Sequence, residues 1–110
     1  MIGSRYDGRV MPMGFSLDEE RLRDIARRHG VRELSLFGSM IRGDSNDNSD
    51  VDVLVSFYDG VSIDLDRWMA LRDELTAVFQ REVDLVLERN LNNPYRRREI
   101  LGTRRVIYAA

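Results

Sequence analysis

The stretch Phe37-Gly38-Ser39-Met40-Ile41-Arg42-Gly43-Asp44, followed by Ser49-Asp50-Val51-Asp52-Val53, decides how the chain is read. Its first part has the form of a strand ending at a Gly-Ser pair that opens a short helical segment. Glycine lets a bulky anion approach the backbone. The amides that follow, with the Ser39 hydroxyl, can bind phosphate oxygens at a helix N-terminus. The second part alternates over Asp50 to Phe57. Val51, Val53, Val55 and Phe57 share one face, and Asp50, Asp52 and Leu54 share the other. Two carboxylates on one strand face repel unless a cation neutralises them. Mg2+ suits such a pair, because it takes one or two carboxylates plus substrate phosphates and water. A phosphate cradle beside a two-carboxylate metal site implies phosphoryl or nucleotidyl transfer.

Asp84 supplies a third carboxylate. It interrupts an apolar run, with Val83, Leu85 and Leu87 on one side and Asp84 and Val86 on the other. An aspartate among such neighbours is costly unless paired or metal-bound. Three carboxylates from two strands can hold two Mg2+ ions. The plainer readings are strand-edge solubility for Asp50 and Asp52 and a surface strand position for Asp84. The Gly-Ser spacing argues against the first.

Gly38-Ser39 is followed by ten residues and then Asp50-Val51-Asp52. Phe37 precedes the glycine, Arg42-Gly43-Asp44 follows it, and Ser49 precedes the first aspartate. In these residues the chain resembles the nucleotidyltransferase superfamily related to DNA polymerase β. Being this short, it looks like the minimal nucleotidyltransferases (MNT domain), the MntA-type antitoxins encoded beside HEPN-domain toxins. The resemblance covers about residues 16–110. It implies that Gly38 and Ser39 hold a nucleotide triphosphate and that Asp50 and Asp52 ligate Mg2+. Asp84 would complete a second metal site and help deprotonate the acceptor hydroxyl. Arg42 would orient phosphates or brace the loop, and Ser49 belongs to the nucleotide-binding set. The implied activity is transfer of AMP from ATP to a tyrosine of a cognate HEPN toxin, with pyrophosphate leaving and a hetero-oligomer formed with the toxin. The competing expectations are a nucleotidyltransferase toxin acting on tRNA and a non-catalytic antitoxin that neutralises by binding.

Working outward, the expected order is α-β-(short α)-β-α-β-α. That is an α/β or α+β arrangement with a small mixed sheet flanked by helices. Residues 1–15 read as a flexible arm and 16–110 as one domain. Ser16 to Glu19 has the form of a capping box for a helix ending at Gly30. Ser62 is the expected cap of a second helix to about Gln80, with Trp68 and Met69 in its core stripe. Glu82 to Glu88 reads as the third strand. Pro94 starts a last helix to about Leu101. Val106-Ile107-Tyr108 either adds a strand or packs as a tail.

Composition narrows the chemistry. The 110 residues include no cysteine and one histidine, His29, which excludes thiolate and multi-histidine metal sites. His29 is expected as a helix C-terminal residue favoured by the dipole. All seventeen basic residues are arginine, so no lysine Schiff base or P-loop lysine is available. The net charge of −2 conceals a block, residues 44–66, with seven aspartates and no arginine. The Arg96-Arg97-Arg98 and Arg104-Arg105 clusters read as a solvated face, or as contacts to an acidic partner or to RNA phosphates. Without interleaved aromatics, nucleic-acid binding by this chain is not expected. No apolar run reaches membrane-spanning length and no secretory signal precedes the domain, so the expectation is a cytoplasmic protein with no membrane partner.

Overall fold

A computed structural model describes residues 18–38 and 50–110. The elements are α1 (Glu19–His29), β1 (Val31–Phe37), β2 (Val51–Phe57), α2 (Leu65–Phe79), β3 (Val83–Leu87), a 3-10 turn (Glu88–Asn90), α3 (Pro94–Thr103) and β4 (Arg105–Ala109). The four strands form one mixed sheet in the order β3-β2-β1-β4. β1 pairs antiparallel with β2 and with β4, while β2 and β3 are parallel and joined through α2. The expected mixed sheet flanked by helices is present, and the terminal segment is a strand rather than a tail.

The alternation expected for β2 and β3 is realised. Leu34, Leu36, Val51, Val53, Val55, Val83 and Leu85 pack with Leu22, Ile25 and Ala26 of α1 and Leu71, Leu75, Val78 and Phe79 of α2. Each fully buried leucine contributes about 2 kcal/mol of hydrophobic free energy. On the opposite face Phe37, Leu54, Leu91 and Ile100 form a smaller cluster beneath α3. The second face is therefore only partly covered, and polar residues at its margin can face solvent.

Helix starts differ from expectation. The α1 N-cap is Asp18, whose carboxylate accepts from Arg21 N at 3.1 Å, and Ser16 lies outside the described residues. The α2 N-cap is Asp64, which accepts from Arg67 N at 2.8 Å. Ser62 instead offers its carbonyl to Arg67 Nε. In both cases a carboxylate nearer the apolar stripe caps better, because it adds charge to the positive helix end. Met69, expected in the core, is 39% exposed, and Leu65 is 73% exposed. Trp68 is half-buried against the main core. The apolar stripe of α2 is wider than the sheet it covers. β2 begins at Val51, so Asp50 sits just before the strand.

His29 is buried, with Nε2 at 2.8 Å from Glu74 Oε2, and Gly30 forms the C-cap at φ 72°. Arg28 also bonds Glu74, tying α1 to α2. The Arg28 guanidinium holds the Glu74 carboxyl below its ordinary range, against partial burial and with help from His29. Arg28 is correspondingly held more firmly in its charged form.

Candidate active site

The site lies where the end of β1 meets the starts of the parallel strands β2 and β3. Asp52 is the second residue of β2 and stands opposite Phe37 on β1 and Asp84 on β3. Neighbouring strands run about 4.8 Å apart, so the two carboxylates project side by side from one face. That face carries Leu54 and Val86 and is the one less covered by helices. Asp52 is half-buried and Asp84 is exposed. Like charges directly opposite on a sheet destabilise it.

Gly38 follows Phe37 directly and adopts φ 76°, the left-handed region. A Cβ built there would overlap the Asp52 carboxylate oxygen and lie 3.1 Å from its Cγ. Glycine is thus required twice: by the backbone and by the carboxylate laid against the turn. The Gly-Ser pair and the Asp-x-Asp pair, separated by ten residues in sequence, are brought into direct contact at Gly38 and Asp52.

The remaining expected site residues distribute unevenly. Asp50 precedes β2 and is exposed, while the following amide, Val51 N, donates to Glu82 O at 2.8 Å. Among the described residues no three His, Cys, Asp or Glu side chains converge as a metal cage. The adjacent pair is Asp52 and Asp84. That pair fits Mg2+, which takes few protein carboxylates and completes its shell from substrate phosphate and water. Ser39, Arg42 and Ser49 lie outside the described residues, as does the short helical segment expected after Gly38.

The basic tail resolves into separate roles. Arg104 pairs with Glu33 at 3.1 Å and reaches Glu88 at 3.9 Å. Arg97 donates to Glu88 O at 3.1 Å. Arg105 opens β4 opposite Leu36, which places it at the same end of the sheet as Gly38 and Asp52. Nothing local in the sequence marks Arg105, because its place follows from a long-range strand pairing.

The family model for polymerase β nucleotidyltransferases matches residues 20–110. The chain belongs to this nucleotidyltransferase family. The protein adenylyltransferase MntA of Thermococcus cleftensis is similar to it, at 38% identity over 71 residues, covering 64% of this chain and 70% of that protein. A solved candidate minimal nucleotidyltransferase is 32% identical with a TM-score of 0.64, covering 78% of this chain and 85% of the other. A toxin–antitoxin crystal structure with AMP-PNP shares the fold at a TM-score of 0.66 and 23% identity, covering 86% of this chain and 75% of the other. In this nucleotidyltransferase the paired aspartates and the glycine beneath Asp52 occupy one end of the sheet, and no helix among the described residues is long and apolar enough to cross a membrane.

Proposed function

We propose that this nucleotidyltransferase is the antitoxin of a HEPN/MNT pair and transfers AMP from ATP to a tyrosine hydroxyl of its cognate HEPN toxin. The observation that carries the reading is the Asp52–Asp84 pair in register across parallel strands with Gly38 against Asp52. In the reaction the acceptor oxygen bonds to the α-phosphorus of ATP, the bond to the β-phosphate oxygen breaks, and pyrophosphate leaves. Asp84, the more exposed of the pair, takes the proton from the acceptor hydroxyl. Asp50, Asp52 and Asp84 would hold Mg2+, which supplies charge neutralisation of the triphosphate and of the attacking oxygen. The turn at Gly38, with Ser39, Arg42 and Ser49, would seat the phosphates, the glycine admitting them close to the backbone. The chain works as a hetero-oligomer in which the toxin supplies the acceptor side.

The experiment is incubation with Mg2+, α-labelled ATP and the cognate HEPN protein. Label on the toxin, lost on tyrosine substitution, is the expected result. Label on tRNA instead would overturn the reading, and so would full neutralisation by an Asp50→Asn, Asp52→Asn variant that transfers nothing.

A further inference from the structure

The other end of β3 carries a feature that nucleotidyl transfer does not use. β3 is an edge strand: among the described residues it pairs only with β2. A cavity of about 610 Å³ is lined by three consecutive residues of it, Leu85, Val86 and Leu87, together with Leu65 and Trp68 of α2. Leu85 packs with the main core and Val86 with the opposite cluster. Successive residues of a strand point to opposite faces, so the cavity runs along the strand's open edge rather than under one face. Leu65, at 73% exposure, forms an apolar wall with no internal purpose.

The cavity continues into a second one of about 260 Å³, which shares Ile63, Leu87 and Arg89 with the first. Its lining includes Arg32, Arg89 and Arg97. Arg89 is exposed and has no ion pair among the described residues. Arg32 donates to the neutral Ser56 Oγ at 2.9 Å. Of the two carboxylates on the same lining, Glu88 is already approached by Arg97 and Arg104, and Asp59 is exposed. An unpaired backbone edge, an apolar trough beside it and guanidinium groups at one end match an extended peptide that adds a strand.

We propose that the free edge of β3 and this trough capture an extended segment of a partner protein, with apolar side chains at alternate positions and an acidic group at the end that meets Arg89. The charge of the occupant follows from the arginines, and its extended form from the unpaired strand. Main-chain hydrogen bonds to β3 fix the segment's register, and the alternate side chains fill the trough. Asp84 lies on β3, three residues before its last residue Leu87, and Arg89 sits in the 3-10 turn that follows. A segment paired along β3 therefore runs past Asp84, about 10 Å from the Leu87 end of the strand at ~3.3 Å per residue. On the adenylyltransferase reading above, which this consequence alone rests on, the accepting hydroxyl lies at least three residues from that acidic group.

The test pans a display library of random extended peptides of about 12 residues against the intact chain without ATP, then measures the enriched peptides by fluorescence anisotropy. The expected enrichment is for apolar residues at alternate positions next to Asp or Glu. Binding should weaken about tenfold for Arg89→Glu, an exposed position with no ion pair among the described residues. N-methylation along one edge of the peptide should abolish binding, and along the other edge should not. No enrichment, enrichment of basic peptides, or indifference to both Arg89→Glu and N-methylation overturns the proposal. So does light scattering that shows a second copy of the chain occupying the edge. An Asp52→Asn variant should keep peptide capture. Capture that fails while AMP transfer proceeds sinks the groove alone, and transfer that fails while capture holds sinks the adenylyltransferase reading alone.

Discussion

Replacing Gly38 with alanine separates backbone strain from damage to the site. At φ 76° an alanine carries roughly 1–2 kcal/mol of left-handed strain, offset by about 0.5 kcal/mol from a less flexible unfolded chain. The net loss of about 1 kcal/mol corresponds to a fall in Tm of about 5 °C in a domain of this size. The second effect is local. The new Cβ overlaps the Asp52 carboxylate and approaches its Cγ at 3.1 Å, so the carboxylate must move. A misplacement of about 1 Å at a reacting centre costs about a hundredfold in rate. Gly60 supplies the control, since it has φ 87° and nothing within 4 Å of a Cβ. Gly60→Ala should lose the same few degrees of Tm and bind ATP with wild-type affinity. Gly38→Ala should lose both Tm and AMP transfer, read by scanning fluorimetry and label incorporation. Wild-type transfer by Gly38→Ala would refute the idea that the glycine exists to admit Asp52. Loss of ATP binding by Gly60→Ala would show that strain alone explains both.

Three further outcomes follow from the same contacts. Asp84→Asn removes one of two like charges standing opposite each other, so stability should rise by about 0.5 kcal/mol while transfer falls at least about a hundredfold; thermal melts and label incorporation read the two together. Glu74→Gln should cost about 1 kcal/mol in urea unfolding at neutral pH, the pairs being partly exposed. Because the folded carboxyl lies below its ordinary value of 4.5, that difference should be constant above about pH 5 and vanish as pH falls through the depressed folded value. Leu75→Ala, at a fully buried position of α2, should cost about 3 kcal/mol in the same assay.

The faces of β2 and β3 were legible because alternation reports directly which side is buried, and both strands have a fully apolar face. Asp84 was legible for the same reason, as a charge set within an apolar run. Its position opposite Asp52 was not, since parallel register depends on how α2 returns the chain to the sheet. Ser16 and Ser62 gave way to Asp18 and Asp64 as caps because several capping residues compete within one turn, and packing of the apolar stripe selects among them. The exposure of Met69 escaped because periodicity fixes a stripe's direction but not the width of the surface opposite it. Arg97, Arg104 and Arg105 could not be told apart in a run of arginines. Their roles follow from Glu88 and Glu33 and from β4 pairing, all distant in sequence.

The position of Asp84 is set from the far side of the sheet. Val83 and Leu85 are buried among the residues of α1 and α2, and the side-chain period of a strand is two. A slip of β3 by one residue would drive Asp84 into that core and expose two apolar side chains. The packing free energy at stake is several kcal/mol, far more than the repulsion between Asp52 and Asp84 could recover. The core on one face therefore holds two mutually repelling carboxylates together on the other, at the end of the sheet where β1 turns at Gly38. The same fixed register carries to Leu87 at the far end of β3. Buried residues on one face of the sheet thus fix the geometry of the carboxylates on the other.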